Sequence, residues 1–221
     1  MDAQAEHHAH HGREITVNAR PIRLSDRQPT GAQVLAEAGF EPVDEHVLIQ
    51  RMKVGSQLVS LDEVVNLNGE GVERFYAFRT GEVFTFMVNT HGFQWGRPEI
   101  TEPELRAFAD VGDDEVLVLQ RGDDEPRVLG ADDRVELSVS GTEHLRTEKR
   151  LVTVFVDNTE KHIPRGAHTT EELVVLLEVQ AGYLLNLATD DGLKPLKPGE
   201  RLRVKEGMRF FTQVPAGGSA H

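Results

Sequence analysis

One segment of about 70 residues recurs three times in this chain, and this repetition constrains the fold more than any other feature of the sequence. The shift is 71 residues from the first copy to the second (17 to 88) and 68 from the second to the third (88 to 156). Each copy opens with an apolar segment that ends in Val-Asn or Val-Asp, at Val17-Asn18, Val88-Asn89 and Val156-Asp157. An apolar residue follows at the same shifts, at Leu24, Trp95 and Ile163.

Each copy also carries the signature of a helix start. A threonine recurs at the same shifts, and Gln or Glu follows it three residues later: Thr30 with Gln33, Thr101 with Glu104, and Thr169 with Glu172. In such a capping box, each of the two side chains accepts a hydrogen bond from the other residue's backbone amide. Apolar residues then recur at helical spacing. Glycines are expected at or just past the helix ends, at Gly39, Gly112 and Gly182.

The second half of each copy predicts strands. Buried strands are expected at 47–49, 116–118 and 183–185, because these stretches are rich in β-forming and apolar residues. Short strands opening at Asp62, Asp133 and Glu200 are expected next, and a glycine at 71, 141 or 207 leads into the last strand. The predicted fold class is α+β, with three tandem units that each pack a mixed sheet on one helix. An immunoglobulin-like sandwich would need about seven strands and no helix per unit, which the three helix starts disfavour.

The repeat also sets the predicted domain boundaries. The three units span 13–80, 82–147 and 148–214, with short linkers at 79–82 and 146–150. Each unit is expected to close its own core and to keep limited freedom relative to its neighbours. Residues 1–12 contain His7, His8, His10 and His11, but nothing there would order metal ligands, so we interpret them as a disordered, solvated tail. Residues 215–221 are predicted to be a flexible tail.

Composition excludes several classes of partner. The net charge of −13 disfavours nucleic acid and anionic membranes, because both would repel the chain. The absence of cysteine excludes disulfides, zinc–thiolate sites and a thiol nucleophile. No apolar stretch approaches the length of a membrane span, and the start has no signal-peptide apolar region. We therefore expect a cytoplasmic protein, and we predict neither a cofactor nor a metal site.

The C-terminal sequence combines a β-type run with a short tail that contains two consecutive glycines. A β-type run at 209–214 passes into Pro215, Ala216, Gly217 and Gly218, and Ser219, Ala220 and His221 follow. Glycine has no Cβ, so such a tail can enter a channel too narrow for other residues. The four residues from Pro215 to Gly218 can reach roughly 13 Å when extended. The tail therefore suits capture by another enzyme's active site, while a frayed chain end is the alternative interpretation.

A strand-strand-helix-strand-strand unit that ends in a Gly-Gly tail resembles ubiquitin and its β-grasp relatives. The tandem arrangement is similar to the bacterial multiubiquitin family, and the resemblance covers residues 14–218. It implies three ubiquitin-like β-grasp domains. It also implies that the carboxylate of Gly218, preceded by Gly217, is activated and joined to a target. Hydrolysis between Gly218 and Ser219 would first remove a three-residue propeptide.

The resemblance further implies partners: an E1-like activating enzyme, an E2-like conjugating enzyme, a processing or deconjugating peptidase, and target proteins. Antiphage defence is a process that it suggests for such bacterial systems. Two features depart from ubiquitin. Val214-Pro215-Ala216 replaces basic residues, so ubiquitin's own activating enzyme is not expected to recognise the tail. The junctions between units lack Gly-Gly, so the three units are expected to travel together as one modifier.

No catalytic residues are predicted, and therefore no enzymatic activity. The histidines are scattered without a repeated partner, at His46, His91, His144, His162 and His168. Six lysines are possible acceptors for chain formation, but we interpret them as surface charge: Lys53, Lys149, Lys161, Lys194, Lys197 and Lys205. Trp95 is expected in a core. The pairs Phe75-Tyr76 and Phe210-Phe211 place one ring on each face of a strand, so one ring of each pair could meet a partner.

Two hypotheses of different classes follow from the sequence. In the first, the chain is a protein modifier that is processed after Gly218 and conjugated through it. In the second, it is a tandem β-grasp adaptor that binds partners without covalent chemistry, and its glycines are a loose end.

Overall fold

The computed structural model describes residues 12–67 and 71–215, and the fold is α+β with mixed sheets. In the first repeat, the sheet order is β2-β1-β5-β3-β4, where β1 and β5 are parallel and the other neighbours antiparallel. A short 3-10 turn spans Val43–Glu45. The elements are β1 (Arg13–Val17), β2 (Arg20–Leu24), α1 (Gly31–Glu37), β3 (His46–Arg51), β4 (Ser56–Val59) and β5 (Glu73–Arg79).

The second repeat has the same plan, with the sheet order β10-β9-β12-β6-β7 and a separate pair of short strands, β8 and β11. Its first and last strands, β6 and β12, are parallel. The elements are β6 (Phe84–Val88), β7 (His91–Trp95), β8 (Glu99–Thr101), α2 (Glu102–Ala109), β9 (Glu115–Gln120), β10 (Arg127–Val128), β11 (Arg134–Glu136) and β12 (Thr142–Lys149).

The third repeat again places its first and last strands, β13 and β19, side by side and parallel. The sheet order is β14-β13-β19-β16-β17, and β15 pairs with β18. The elements are β13 (Leu151–Val156), β14 (Thr159–Pro164), β15 (Gly166–Thr169), α3 (Thr170–Leu176), β16 (Leu184–Thr189), β17 (Gly192–Pro195), β18 (Arg201–Val204) and β19 (Arg209–Gln213).

All three predicted capping boxes are confirmed, with both reciprocal hydrogen bonds formed at Thr30, Thr101 and Thr169. The expected role of Gly182 is wrong. Helix α3 ends at Leu176, and the left-handed residue that follows it is Glu178, with φ of 55°. Gly182 lies further on, in the loop before β16.

The short strand expected after Asp62 is also wrong. The first repeat has only an isolated bridge between Thr30 and Val64 there, whereas β11 and β18 form in the other repeats. The residue before Thr30 is Pro29, which has no amide proton and cannot continue a ladder. The backbone of Pro29 can only accept a hydrogen bond, and its carbonyl oxygen accepts one from the amide of Val65 at 2.8 Å.

The predicted linker at 146–150 is likewise incorrect. Strand β12 continues to Lys149, and β13 begins at Leu151, so Arg150 alone separates them. The chain divides into two compact units: residues up to Val111 with Leu117–Thr147, and Gly112–Val116 with the residues from 148 onward. The first two repeats thus lie largely in the first unit. The boundaries 13–80, 82–147 and 148–214 remain predictions.

In the first unit, the two repeats do not keep separate cores. One apolar cluster is built from β1, β5 and α1, with Phe75 fully buried. A second cluster holds Phe108 and Trp95, and it also takes Ile49, Tyr76 and Phe78 from the first repeat. The first sheet therefore buries residues on both faces: one against α1, the other against the second repeat. The third repeat packs around Phe210, Leu173 and Leu187.

Backbone approaches at this contact are close. A Cβ added at Gly96 would lie 2.4 Å from Cγ of Phe78 and 2.5 Å from its Cβ. A Cβ added at Gly55 would lie 2.5 Å from the carbonyl oxygen of Gly92. Real Cβ atoms do not come this close to such neighbours, so glycine is required at both positions by packing.

We predict that Gly96→Ala destabilises the first unit by about 1–3 kcal/mol, the usual penalty for overpacking. The clash involves the root of the Phe78 side chain, which cannot rotate away. Gly81→Ala is the matched control, because a Cβ there meets nothing within 4 Å. Urea unfolding of the full chain measures both. Equal unfolding midpoints for the two variants would contradict the predicted clash.

Candidate functional site

The predicted conjugation residues Gly217 and Gly218 and the predicted processing position at Ser219 lie outside the described residues. The described chain ends at Pro215, two residues after β19. Val214 is 56% exposed, and Pro215 is also exposed. Strand β19, which precedes these residues, is the part of the predicted site that the structure describes.

Strand β19 is a central strand of the third sheet. It lies between β13 on one side and β16 on the other, and it pairs with both. Phe210 points into the core and is fully buried. The last ladder partner is Gln213, opposite Leu184. The tail thus leaves from a fixed point, because the strand before it is held on both edges and by its buried ring.

Asp157 fastens the end of this strand. It is a left-handed residue in the turn between β13 and β14, with φ of 47°. Its Oδ1 accepts a hydrogen bond from the amide of Thr212 at 2.9 Å, and its Oδ2 accepts one from the Thr212 hydroxyl at 2.5 Å. The Asp157 amide in turn donates to the carbonyl oxygen of Phe210 at 3.0 Å. One side chain therefore ties the first hairpin to the residue just before the tail.

The same clamp occurs in the other two repeats, where the residue is asparagine. The side chain of Asn18 both accepts from the Ala77 amide at 3.0 Å and donates to the Ala77 carbonyl at 2.9 Å. Asn89 accepts from the Thr147 amide at 2.9 Å. The Val-Asn and Val-Asp signature that reveals the repeat is therefore this clamp. Asn and Asp also tolerate the left-handed backbone that the turn requires.

Beside the end of β19 lies the outer face of the third sheet, the face turned away from α3. Phe211 is half-buried on this face, and Leu184 next to it is 48% exposed. The guanidinium of Arg209 lies over the Phe155 ring, 4.7 Å from its centroid. The face thus combines apolar rings and a cation close to the point where the tail begins.

The outer face of the first sheet is covered instead. Tyr76 occupies the position of Phe211, and its ring meets that of Phe108 edge-on with centroids 4.6 Å apart. Phe78 meets Trp95 in the same manner at 4.7 Å. Such edge-to-face pairs each add about 0.5–1.5 kcal/mol beyond the apolar area that they bury. The partner of these rings is the second repeat.

A charged group completes this contact. Asp110, the left-handed residue after α2, accepts two hydrogen bonds from Arg74, at 3.0 and 2.8 Å, and one from Arg51 at 2.8 Å. The Arg51 side chain is only 3% exposed and also donates to the carbonyl oxygens of Phe108 and Gly55. Burial lowers the pKa of Arg51, and the charge of Asp110 opposes that shift. Each of the three nitrogens of the buried guanidinium therefore donates at least one hydrogen bond.

The comparison with known families agrees with this architecture. A model of the multiubiquitin family matches residues 13–80 and 84–150, together more than half of the chain. The chain belongs to the multiubiquitin family. These matches cover the first two repeats, and the third is assigned here from the internal repetition and its sheet order. No curated protein matches the chain.

The histidines that the sequence analysis named in this multiubiquitin lie in different repeats. Two histidines lie within hydrogen-bond distance of backbone carbonyls: Nδ1 of His46 is 2.9 Å from the oxygen of Pro42, and Nε2 of His168 is 2.8 Å from that of Pro164. Among residues 12–67 and 71–215, no group of three or more His, Asp or Glu could hold a metal ion. In the same ranges, no helix is long and apolar enough to cross a membrane.

Trp95 occupies a core position, as predicted, and is 3% exposed. Sequence reasoning missed that this core is shared with the first repeat. A signal was available in Phe108, because the repeat shifts place Glu37 and Leu176 at the equivalent positions. An aromatic residue on the last turn of only one of three related helices indicates a contact that only this repeat makes.

We predict that Asp157→Ala destabilises the third repeat by about 1 kcal/mol, because the Thr212 amide and hydroxyl each lose an acceptor. Asp157→Asn is the matched control, since asparagine performs this role at positions 18 and 89. Amide hydrogen exchange at Thr212 measures the effect directly. Protection should fall in the alanine variant and persist in the asparagine variant. Unchanged protection in both would refute the clamp.

We also predict a pH dependence for the contact in the first unit. The hydrogen bond from Arg74 is the main reason that the pKa of Asp110 lies below its ordinary value of 3.8. Because the folded-state pKa is depressed, its stabilisation is present above pH 3.8 and is lost as the pH falls through the folded value. Asp110→Asn should therefore unfold at lower urea than the wild type near about pH 6, with the difference shrinking below about pH 4.

Asp113→Asn is the control for this experiment, since Asp113 is exposed and lies three residues from Asp110. It should leave the urea midpoint unchanged at both pH values. A deficit of Asp110→Asn that stayed constant over the whole pH range would contradict an ionic role for Asp110.

Proposed function

We propose that this multiubiquitin is a protein modifier that is joined to targets through Gly218. The proposal rests on one observation in a chain of this family: the strand before the C-terminal tail is firmly held, and the residues that follow it are exposed. A central strand, held by the Asp157 clamp and by Phe210, ends at Gln213 and is followed by exposed Val214 and Pro215. The sequence Ala216-Gly217-Gly218 follows directly. We take the third repeat as a third ubiquitin-like β-grasp domain in this proposal.

Processing comes first in this scheme. A peptidase hydrolyses the amide between Gly218 and Ser219, which adds one water and releases the tripeptide Ser219-Ala220-His221. Glycines at 217 and 218 suit this step, because a substrate strand without side chains fits a narrow active-site channel. The product ends in the free carboxylate of Gly218.

Activation and transfer follow. A carboxylate is a poor electrophile, so an E1-like enzyme converts it with ATP into an acyl adenylate and releases pyrophosphate. A nucleophile on the partner enzyme displaces AMP, and an E2-like enzyme receives the acyl group. An amine or hydroxyl of the target then attacks the carbonyl carbon, and the enzyme nucleophile leaves. The modifier contributes the threadable tail and a surface that partners can bind.

The outer face of the third sheet is a suitable binding surface for these partners. Phe211, Leu184 and the Arg209–Phe155 pair lie next to the start of the tail. Aromatic and arginine side chains contribute a large share of binding energy at protein interfaces. Gly217 and Gly218 follow this face by only a few residues along the chain. An enzyme that bound the face could therefore receive the two glycines in its active site.

The test is co-expression of the chain with E1-, E2- and peptidase-like proteins of a multiubiquitin system, followed by intact-mass measurement. The wild type should lose exactly its last three residues and form a ladder of adducts. Gly218→Val should form no adducts, because a branched side chain blocks the channel. A chain that ends at Gly218 should form adducts without the peptidase, and Ala220→Gly, within the released tripeptide, is the matched control and should behave as the wild type.

A non-covalent adaptor would give a different result. Its mass would stay unchanged, it would form stable complexes with the same partners, and Gly218→Val would bind them as the wild type does. That combination would overturn the proposed modifier.

A further inference from the structure

The third repeat contains a pocket lined by basic side chains. Within the second unit, a pocket of about 310 Å³ is lined by residues from the ends of three strands. Arg150 precedes β13, Arg165 follows β14, and Lys205 follows β18. The full lining is Arg150, Leu151, Val152, Arg165, Lys205 and Glu206.

Backbone hydrogen bonds fix the cations in place. The amide of Arg165 donates to the carbonyl oxygen of Arg150 at 2.7 Å, and the amide of Arg150 donates to that of Asp114 at 2.9 Å. On the other side, the amide of Gly207 donates to the carbonyl oxygen of Thr153 at 2.8 Å, which holds the turn after Lys205 against β13. The pocket is therefore built by the sheet and not by flexible loops alone.

Two donors in this region have no hydrogen-bond acceptor. The Nε atoms of Arg150 and Arg165 are shielded from solvent, and neither has a hydrogen-bond partner among the described residues. Arg165 Nε lies 3.2 Å from Oδ1 of Asp114, but their geometry is that of an ion pair without a hydrogen bond. Asp114 Oδ1 is likewise shielded and without a hydrogen-bond partner, so it already offers Arg165 an opposite charge. Arg150 Nε has no such counterpart, and because a shielded donor without an acceptor costs about 1–3 kcal/mol, an acceptor that reached it would be favoured.

The charges around the pocket are unbalanced. Arg165 and Arg203 share the carboxylate of Asp114, with Arg203 at 2.6 Å. Glu206 accepts from the Thr153 amide at 3.2 Å. Arg150 and Lys205 form no ion pair with any residue in the part of the chain that the structure describes. Four cations against two carboxylates leave two net positive charges here, in a chain whose net charge is −13.

We propose that this pocket binds a phosphate group. A phosphate carries close to two negative charges near neutral pH and several strong acceptor oxygens, which matches two unbalanced cations and donors that arrive from different strands. A carboxylate would neutralise only one of the two charges. The phosphate can be free inorganic phosphate or a phosphomonoester on a small molecule. This site is independent of the proposed conjugation through Gly218.

The experiment titrates the ¹⁵N-labelled full chain with inorganic phosphate at constant ionic strength and follows the amide signals of Leu151, Val152 and Glu206. These signals should shift saturably. Arg150→Gln and Lys205→Gln should each weaken binding about fivefold or more, as expected for loss of a charge-assisted hydrogen bond. Lys194→Gln is the matched control, because Lys194 is paired with Glu200 and does not line this pocket, and it should bind as the wild type.

A thermal readout separates binding from folding. The Arg150 side chain has no hydrogen-bond or ion-pair partner among residues 12–67 and 71–215, so Arg150→Gln should unfold at the wild-type temperature without phosphate. Added phosphate should raise the unfolding temperature of the wild type but not of this variant. Tighter binding of phosphoserine than of phosphate would assign the site to phosphomonoesters, and equal binding would assign it to the free ion. Shifts that chloride reproduces, tighter binding of acetate, or equal binding by Arg150→Gln and Lys194→Gln would overturn the proposal.

Discussion

The structure depends on the parallel pairing of the first and last strands of each repeat. This pairing places the last strand in the middle of its sheet, with neighbours on both edges, and the Asn or Asp of the first hairpin fastens it from the side. A hairpin alone is marginal in water, but this arrangement joins the two ends of each repeat into one sheet that the helix can cover. In the third repeat, the same pairing fixes the point from which the C-terminal tail leaves.

The outer faces of the first and third sheets are equivalent positions of the repeat, but they make different contacts. On the first sheet, the partly buried rings of Tyr76 and Phe78 pack against aromatic rings of the second repeat, and Asp110 pairs with the two arginines beside them. On the third sheet, Phe211 stays half-buried and Leu184 is half-exposed. Fusion of related units therefore commits one copy of a surface to the architecture and leaves another accessible beside the tail.

Basic side chains differ in whether they have an acidic partner. Most arginines and lysines of this acidic chain have a carboxylate partner, as in the Arg74–Asp110 and Lys194–Glu200 pairs. Arg150 and Lys205 are among the basic residues without such a partner in the described ranges, and both line one pocket. Unbalanced cations are costly to gather in a folded protein unless an anion shares the site. The two features, an open apolar face and a basic pocket, occupy different parts of the third sheet.

The sequence by itself determined the threefold repeat, the three capping boxes, the α+β class and the core position of Trp95. These follow from local chemistry: side-chain periodicity, helix-start hydrogen bonds, and the tolerance of Asn and Asp for left-handed turns. Tertiary structure alone decided that Phe108 and Trp95 cover Tyr76 and Phe78, that Asp110 meets Arg51 and Arg74, and that Arg150 and Lys205 line one pocket. Those residues lie 17 to 59 positions apart in the sequence, and periodicity within one repeat carries no information about which face of another repeat lies opposite.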